Sequence, residues 1–172
     1  LVLIMLIMAG CAVQKSGNNT GKSTAEEVLY TQALKALEER NFIIKIDEFH
    51  FPSDKAPVNS TNSYVSMQGS HAVIRMSQDF PSAFSSNRNT ESDNAEITKG
   101  SAKKNGDIQF HMLIKGAEKW QDRELIIILY KNTNQCFVRL HGGYAGVNVI
   151  NFKGHIYPMA EVIEKTNCGK DV

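Results

Sequence analysis

Residues 108–130 read IQFHMLIKGAEKWQDRELIIILY and decide the fold. Apolar and polar residues alternate over 108–115, as in a β-strand that buries one face. A polar connection follows, and residues 125–130 are then apolar at every position, which suits a central strand covered on both faces. Two strands joined by a short polar connection predict an antiparallel hairpin.

The same two-residue period recurs on both sides of this hairpin. Turns rich in Gly, Asn and Ser separate the runs at short intervals, which is typical of an antiparallel meander. A sheet of this kind buries its apolar faces and limits its exposed edges by closing or folding onto itself. The predicted fold class is therefore mainly β: an antiparallel β-barrel or sandwich with one N-terminal helix. About eight strands are expected, at 42–47, 64–67, 71–76, 94–102, 108–115, 125–130, 135–140 and 147–157.

A helix is predicted ahead of the first strand, over residues 25–40. Thr24 and Glu27 match a capping box, in which two side chains satisfy the first free amides of a helix. This helix is one candidate for covering the second face of the strand at 125–130. Its apolar residues fall at helical spacing and form a stripe that would pack on the core, namely Val28, Leu29, Ala33, Ala36 and Leu37.

The first eleven residues read LVLIMLIMAGC. A membrane-spanning helix needs about 20 apolar residues, so this shorter run predicts a removable signal peptide. It resembles the lipobox of bacterial lipoproteins, in which cleavage exposes a cysteine that is then lipidated. We expect a few residues ahead of Leu1, a signal peptide over residues 1–10, and fatty acids such as palmitate on Cys11. The resemblance implies an anchored envelope protein, and Ala12 after the cysteine favours the outer membrane, on its periplasmic or its surface face.

Residues 11–23 are predicted to be a lipidated flexible tether, because Gly, Ser and Asn dominate them and no hydrophobic period is present. The stretch from Gly17 to Ser23 looks like a nucleotide-binding loop. It has one residue too few between its glycines and no strand before it, so no such loop is predicted. A single β-rich domain should follow over 24–166, with a tail at 167–172.

The charge balance argues against a nucleic-acid partner. The chain has 19 Lys and Arg against 18 Asp and Glu, a formal net charge of +1, with no basic cluster of the kind that binds phosphate backbones. Two cysteines besides Cys11 remain. Cys136 alternates with apolar residues and should face the core, whereas Cys168 lies in the polar tail. A buried free thiol and a disulfide between them both remain open.

The order of these elements resembles a family of bacterial lipoproteins, the domain-of-unknown-function family 4251 (DUF4251), over roughly residues 36–158. The resemblance depends on five stretches. It implies the fold and carries no catalytic residues with it. The stretches are Asn41–Phe42, the turn 52–58, the YVSMQGSHA hairpin at 64–72, the apolar strand before Lys131, and INFKGHIYP at 150–158.

No catalytic or metal-binding arrangement is predicted, and no cofactor. The spacing of the histidines fits no metal-binding motif, and no serine lies in a G-x-S-x-G motif. Asp47 and Glu48 are neighbours on a strand and should point to opposite faces, unless the strand is bulged. The histidines, read as scattered surface residues, are His50, His71, His111, His141 and His155.

Three aromatic residues in loops are the candidate ligand contacts: Trp120, Tyr144 and Phe84. Trp120 lies in a polar connection where the strand period demands no large aromatic, so it either stacks on a ligand or folds back over the barrel. Phe84 lies in the polar loop 77–93, which is either pinned to the body or a lid over a ligand.

The first hypothesis for function is noncatalytic binding of a small ligand in or at the end of the barrel. The alternative is an interaction or structural protein of the envelope, and an enzyme ranks last.

Overall fold

The computed structural model describes residues 20–50, 56–77, 89–142 and 149–160. The elements that lie fully within these ranges are the α-helix α1, ten β-strands and a short 3₁₀ helix, Lys119–Gln121. The bounds are α1 Thr20–Glu38, β1 Asn41–His50, β2 Val58–Asn59, β3 Tyr64–Gln68, β4 His71–Arg75, β5 Asn89–Ser92, β6 Ala95–Ala102, β7 Ile108–Ile114, β8 Arg123–Leu129, β9 Gln135–Gly142 and β10 Ile150–Pro158.

The ten strands form one sheet that curls into a nearly closed antiparallel barrel. The order is β5-β4-β3-β1-β10-β9-β8-β7-β6, with β2 paired to β1. Strands β5 and β6 end this order on opposite sides, yet only Asp93 and Asn94 separate them in the chain. The two sheet edges must therefore meet. The Ser92 hydroxyl at the end of β5 donates a 2.6 Å hydrogen bond to the carbonyl of Lys115, just past β7.

The predicted fold class is confirmed, and of its two forms the barrel is the one observed. Each of the predicted strands is present, with ends that differ by a few residues. Two strands were not predicted. β2 has two residues, too short for a periodic pattern, and the polar β5 lies inside the stretch predicted as a loop.

The barrel interior is filled with side chains from every strand except β2 and β5. Phe49 and Phe152 meet edge to face across β1 and β10, with their ring centroids 6.1 Å apart. Burial on this scale drives the sheet to close, because each large apolar side chain contributes about 1.5–3 kcal/mol. The largest fully buried side chains are Phe42, Phe49, Phe110, Phe152, Leu37, Ile44, Met67, Ile74, Met112, Ile114 and Leu125.

Helix α1 covers one end of the barrel. It contacts β1 and β10, and its buried residues Ala33, Ala36 and Leu37 belong to the same cluster as the inward-facing strand residues. At its last turn, Glu38 accepts a 2.6 Å hydrogen bond from Lys99 on β6, across the barrel opening. The opposite end is called the far end below. There β7 and β9 end, and β8 and β10 begin.

The helix differs from its prediction in three respects. It begins at Thr20 rather than residue 25, so the capping-box residue Thr24 lies within it and residues 20–23 of the predicted tether are helical. Of the predicted apolar stripe, Val28 and Leu29 are exposed by 56% and 37%. The buried stripe consists of the predicted Ala33, Ala36 and Leu37, and the partly buried Tyr30 and Leu34 pack beside it. The helix, one candidate for covering β8, packs mainly on β1 and β10 instead, and the outward Ile126 and Ile128 of β8 stay only partly buried. Among the described helices, none is long and apolar enough to cross a membrane.

Candidate functional site

A polar pocket of about 420 Å³ lies at the far end of the barrel. One wall is β5, and the other is the connection between β7 and β8, together with the first residue of β8. Thr90 and Ser92 pair with the inward-facing Ile74 and Ala72, so their side chains turn toward the barrel mouth. The pocket therefore occupies the place where the two edges of the sheet come together. Its lining is Asn89, Thr90, Glu91, Ser92, Lys115, Gly116, Ala117, Gln121 and Arg123.

Arg123 supplies a buried cation to this far-end pocket. It is only 6% exposed, and its Nη1 donates hydrogen bonds to the carbonyls of Gln121 at 2.8 Å and Asp122 at 3.0 Å. Burial lowers the pKa of the guanidinium, while the nearby Asp122 raises it. An arginine stays protonated despite such a shift. The pocket thus combines the fixed positive charge of Arg123 with the charged side chains of Lys115 and Glu91 and with neutral hydroxyl and amide groups.

The connection between β7 and β8 is tied down by its own side chains. The Gln121 amide oxygen accepts hydrogen bonds from the backbone amides of Ala117 and Glu118, at 3.1 and 3.3 Å. Asp122 accepts another from the amide of Gly116 at 3.0 Å. Because these bonds close the loop on itself, the short helix that carries Trp120 has a fixed backbone beside the pocket.

Of the three predicted ligand contacts, only Trp120 has a backbone within the described residues. Trp120 lies in the 3₁₀ helix, between the pocket residues Ala117 and Gln121. Tyr144, Phe84 and the predicted lipidation site Cys11 lie outside the described residues. The chain leaves β9 and returns at β10 at the far end, on either side of the segment that contains Tyr144.

A second polar depression, of about 290 Å³, lies on the outer wall where β1, β10 and the turn from β8 to β9 meet. The depression exists because β1 is bulged. Ile46 pairs with Gly154 and Glu48 pairs with the neighbouring Lys153, so Asp47 is the extra residue of β1 and has no partner residue on β10 in the ladder. Asp47 and Glu48 therefore share the outward face and line the same depression. We call it the bulge pocket, lined by Asp47, Glu48, Tyr130, Gln135, Cys136, Lys153, Gly154 and His155.

Asp47 and Glu48 were expected to point to opposite faces unless the strand is bulged, and the bulge is what the structure shows. Strand alternation fails where one strand carries an extra residue, and sequence spacing does not reveal the extra residue. The sequence feature that could have indicated the bulge lies on the partner strand, β10. A lone glycine such as Gly154 inside a strand pattern indicates a bulge or a close backbone approach.

Both carboxylates of the bulge pocket are held by neighbours. Asp47 lies 2.7 Å from Nδ1 of His155. Glu48 uses one oxygen to contact both Lys153, at 2.9 Å, and His50, at 2.8 Å. The hydrogen bonds from Lys153 and then His50 lower the pKa of Glu48, so it is ionised at neutral pH.

Two of the histidines interpreted as scattered surface residues are therefore partners of carboxylates here. His71 and His111 also face acidic side chains elsewhere on the outer wall, at 2.7 Å from Asp93 and 3.9 Å from Glu124. Within the described ranges, no group of three or more His, Cys, Asp or Glu residues could hold a metal ion.

Cys136 is a fully buried free thiol behind the bulge pocket. Burial raises its pKa far above the ordinary value, so the thiol stays protonated and is a poor nucleophile. The predicted position on the core face is confirmed. Cys168, its proposed disulfide partner, lies outside the described residues.

Comparison with solved structures agrees with the fold. The chain is similar to the crystal structure of a DUF4251 family protein from Bacteroides eggerthii, with a TM-score of 0.65, and the match covers 81% of this chain and 93% of that one. The chain has the DUF4251 fold. The resemblance predicted from the sequence is confirmed at this level. At 18% identity, the likeness to the DUF4251 protein concerns the fold alone. No protein-family model matches the sequence, and no curated protein matches it.

Proposed function

We propose that this protein is a noncatalytic binding module that takes a small polar ligand in the far-end pocket, beside Trp120. The observation that carries the proposal is the 420 Å³ polar pocket at the barrel mouth, floored by the buried Arg123. Its volume lies within the roughly 300–1,000 Å³ of typical ligand pockets. The packed interior of the barrel leaves the end, rather than the lumen, as the place for a ligand.

The lining favours binding over catalysis. A nucleophile needs a neighbouring base to activate it. The Ser92 hydroxyl is instead engaged with the Lys115 carbonyl and the Asn94 amide, at 2.6 and 3.1 Å. Arg123 adds a buried cation. Lys115 adds an ammonium that already pairs with Glu96 at 3.0 Å, and Glu91 adds a carboxylate. Thr90 and Gln121 offer neutral polar groups. This set suits a polar ligand with hydroxyl or amide groups, whose carboxylate, if it carries one, faces Arg123 and lies away from Glu91.

We further propose that the protein is an outer-membrane lipoprotein, anchored through acyl chains on Cys11. The apolar run ending in Met8-Ala9-Gly10-Cys11 supports this, and two or more acyl chains are enough for stable anchoring. Incorporation of labelled palmitate, lost in Cys11→Ala, would support the anchor. Absence of label from the intact protein would contradict it.

Trp120 is the single tryptophan of the chain, so its fluorescence reports on this one loop. We expect a saturable change in its emission with at least one member of a panel of hydroxy acids, amino acids and sugar acids. Thr90→Ala should weaken that response, whereas Thr98→Ala, on the outer wall of β6, should leave it unchanged. No saturable response from the panel would contradict the proposal.

The alternative, an interaction or structural component of the envelope, has one observation in its favour. Buried apolar side chains pack against one another in the described interior, which favours a function carried by the outer surface and the ends of the barrel. If the protein instead holds an envelope protein, Trp120 should respond to that protein and not to small molecules.

A further inference from the structure

The bulge pocket lies outside the proposed far-end site, and its groups are arranged for a ligand of a different kind. Two outward carboxylates and an adjacent ammonium surround this depression, together with an amide and a phenol that make no hydrogen bond to another described residue. From this arrangement we propose a second binding site for a neutral polyhydroxylated ligand the size of one sugar ring. The proposal does not depend on the far-end pocket.

The carboxylates provide acceptors that are fixed in place. One carboxylate oxygen of Asp47 contacts His155, and one carboxylate oxygen of Glu48 contacts both Lys153 and His50. The second oxygen of each has no hydrogen-bond partner among the described residues. Two adjacent ionised acceptors on one face are what a pair of ligand hydroxyl donors requires.

Two neutral side chains complete the lining. The Tyr130 hydroxyl and the Gln135 side-chain amide both border the depression, and neither makes a hydrogen bond to another described residue. Tyr130 is half-buried, so its ring presents a partly desolvated surface there. Such groups can donate hydrogen bonds to a ligand and accept hydrogen bonds from it without breaking a hydrogen bond between described residues.

The mixture of charges selects a neutral ligand. An anion placed there would meet Asp47 and Glu48, and a cation would meet Lys153. A hydroxyl group both donates and accepts, so a polyol can satisfy carboxylate, ammonium and amide together without a like-charge contact. The volume of about 290 Å³ is at the small end for ligand pockets, which fits a single ring.

The test is isothermal titration calorimetry of the full chain with D-glucose, D-galactose and D-mannose, beside ethanolamine and acetate as charged probes. We expect weak, saturable binding of at least one sugar and none of the charged probes. Tyr130→Phe and Gln135→Ala should each weaken sugar binding severalfold, and Asp47→Asn by about tenfold, since hydrogen bonds to charged groups are stronger. Because the Tyr130 hydroxyl and the Gln135 side-chain amide make no hydrogen bond to another described residue, both variants should keep the unfolding temperature of the wild type.

The matched control for Asp47→Asn is Glu124→Gln, which removes a carboxylate beside a histidine on another part of the outer wall. It should leave sugar binding unchanged. Failure of all three sugars to bind, binding that survives all three bulge-pocket variants, or a preference for ethanolamine or acetate would each overturn the proposal. Sugar binding here should not alter Trp120 emission, so this result and that of the far-end site are independent.

Discussion

Gly154 lies directly against the backbone carbonyl of Lys45: a Cβ added to Gly154 would overlap that oxygen and come within 3.3 Å of the Ile46 Cα. The close approach occurs at the bulge of β1, where Ile46 pairs with Gly154 and the register then shifts. A glycine on β10 thus permits the backbone path that turns Asp47 and Glu48 to the same face.

Gly154→Ala should destabilise the barrel by about 1–3 kcal/mol or more, because the backbone of β1 must move to admit the methyl group. Chemical denaturation measures the loss. Gly69→Ala is the control for the cost of losing a glycine: Gly69 has a φ of +62° and nothing within 4 Å of an added Cβ, so about 1 kcal/mol is expected. A Gly154→Ala variant no less stable than Gly69→Ala would contradict the described packing.

The free energy of unfolding should decrease in acid, because Glu48 becomes protonated there. Its partners lower its pKa from the ordinary value of 4.5, so the folded state favours the carboxylate. This contribution is present above about pH 4.5 and is lost as the pH falls through the lowered pKa. Glu48→Gln should cost about 0.2–1 kcal/mol at neutral pH and progressively less in acid, as measured by denaturation at a series of pH values. Glu26→Gln, on the exposed face of α1, should show no such trend; a Glu48→Gln cost that stays constant with pH would count against the mechanism.

Cys136 should resist thiol reagents in the folded protein, because burial both blocks access and keeps the thiol protonated. Maleimide labelling followed by peptide mass spectrometry separates it from Cys11 and Cys168. We expect modification of Cys136 only when denaturant is added. Rapid labelling of Cys136 in native buffer would show that the core opens there.

The role of α1 as the cover of one barrel end can be tested with two leucines of the same helix. Leu37 is fully buried, and Leu29 is 37% exposed. Leu37→Ala should cost about 2–5 kcal/mol of unfolding free energy, and Leu29→Ala about 1 kcal/mol or less. Similar costs for the two substitutions would mean that the helix does not pack as described.

The strands could be predicted because their side chains alternate between a filled interior and solvent. In β7, Ile108, Phe110, Met112 and Ile114 are buried, as the two-residue period requires. The apolar run 125–130, most of which lies in β8, gave a misleading signal, since Ile126 and Ile128 face outward and stay only partly covered. An apolar residue at an outward position does not by itself predict a second layer.

The candidate sites were harder to predict, because they depend on contacts between distant residues. The far-end pocket joins Thr90 to Arg123, and the bulge pocket joins Asp47 to His155; neither pair is close in the chain. Trp120 could be singled out because it broke the strand pattern. The buried Arg123 could not, because arginine at the start of a strand is ordinarily solvated.

Binding of a small molecule at the far end of the barrel is the function proposed for this protein. The most direct measurement is mass spectrometry of whatever copurifies with the natively expressed full chain, compared between wild type and Thr90→Ala. We predict a small polar molecule that accompanies the wild type and is depleted in the variant. Recovery of one recurring envelope protein, with no small molecule, would contradict the claim.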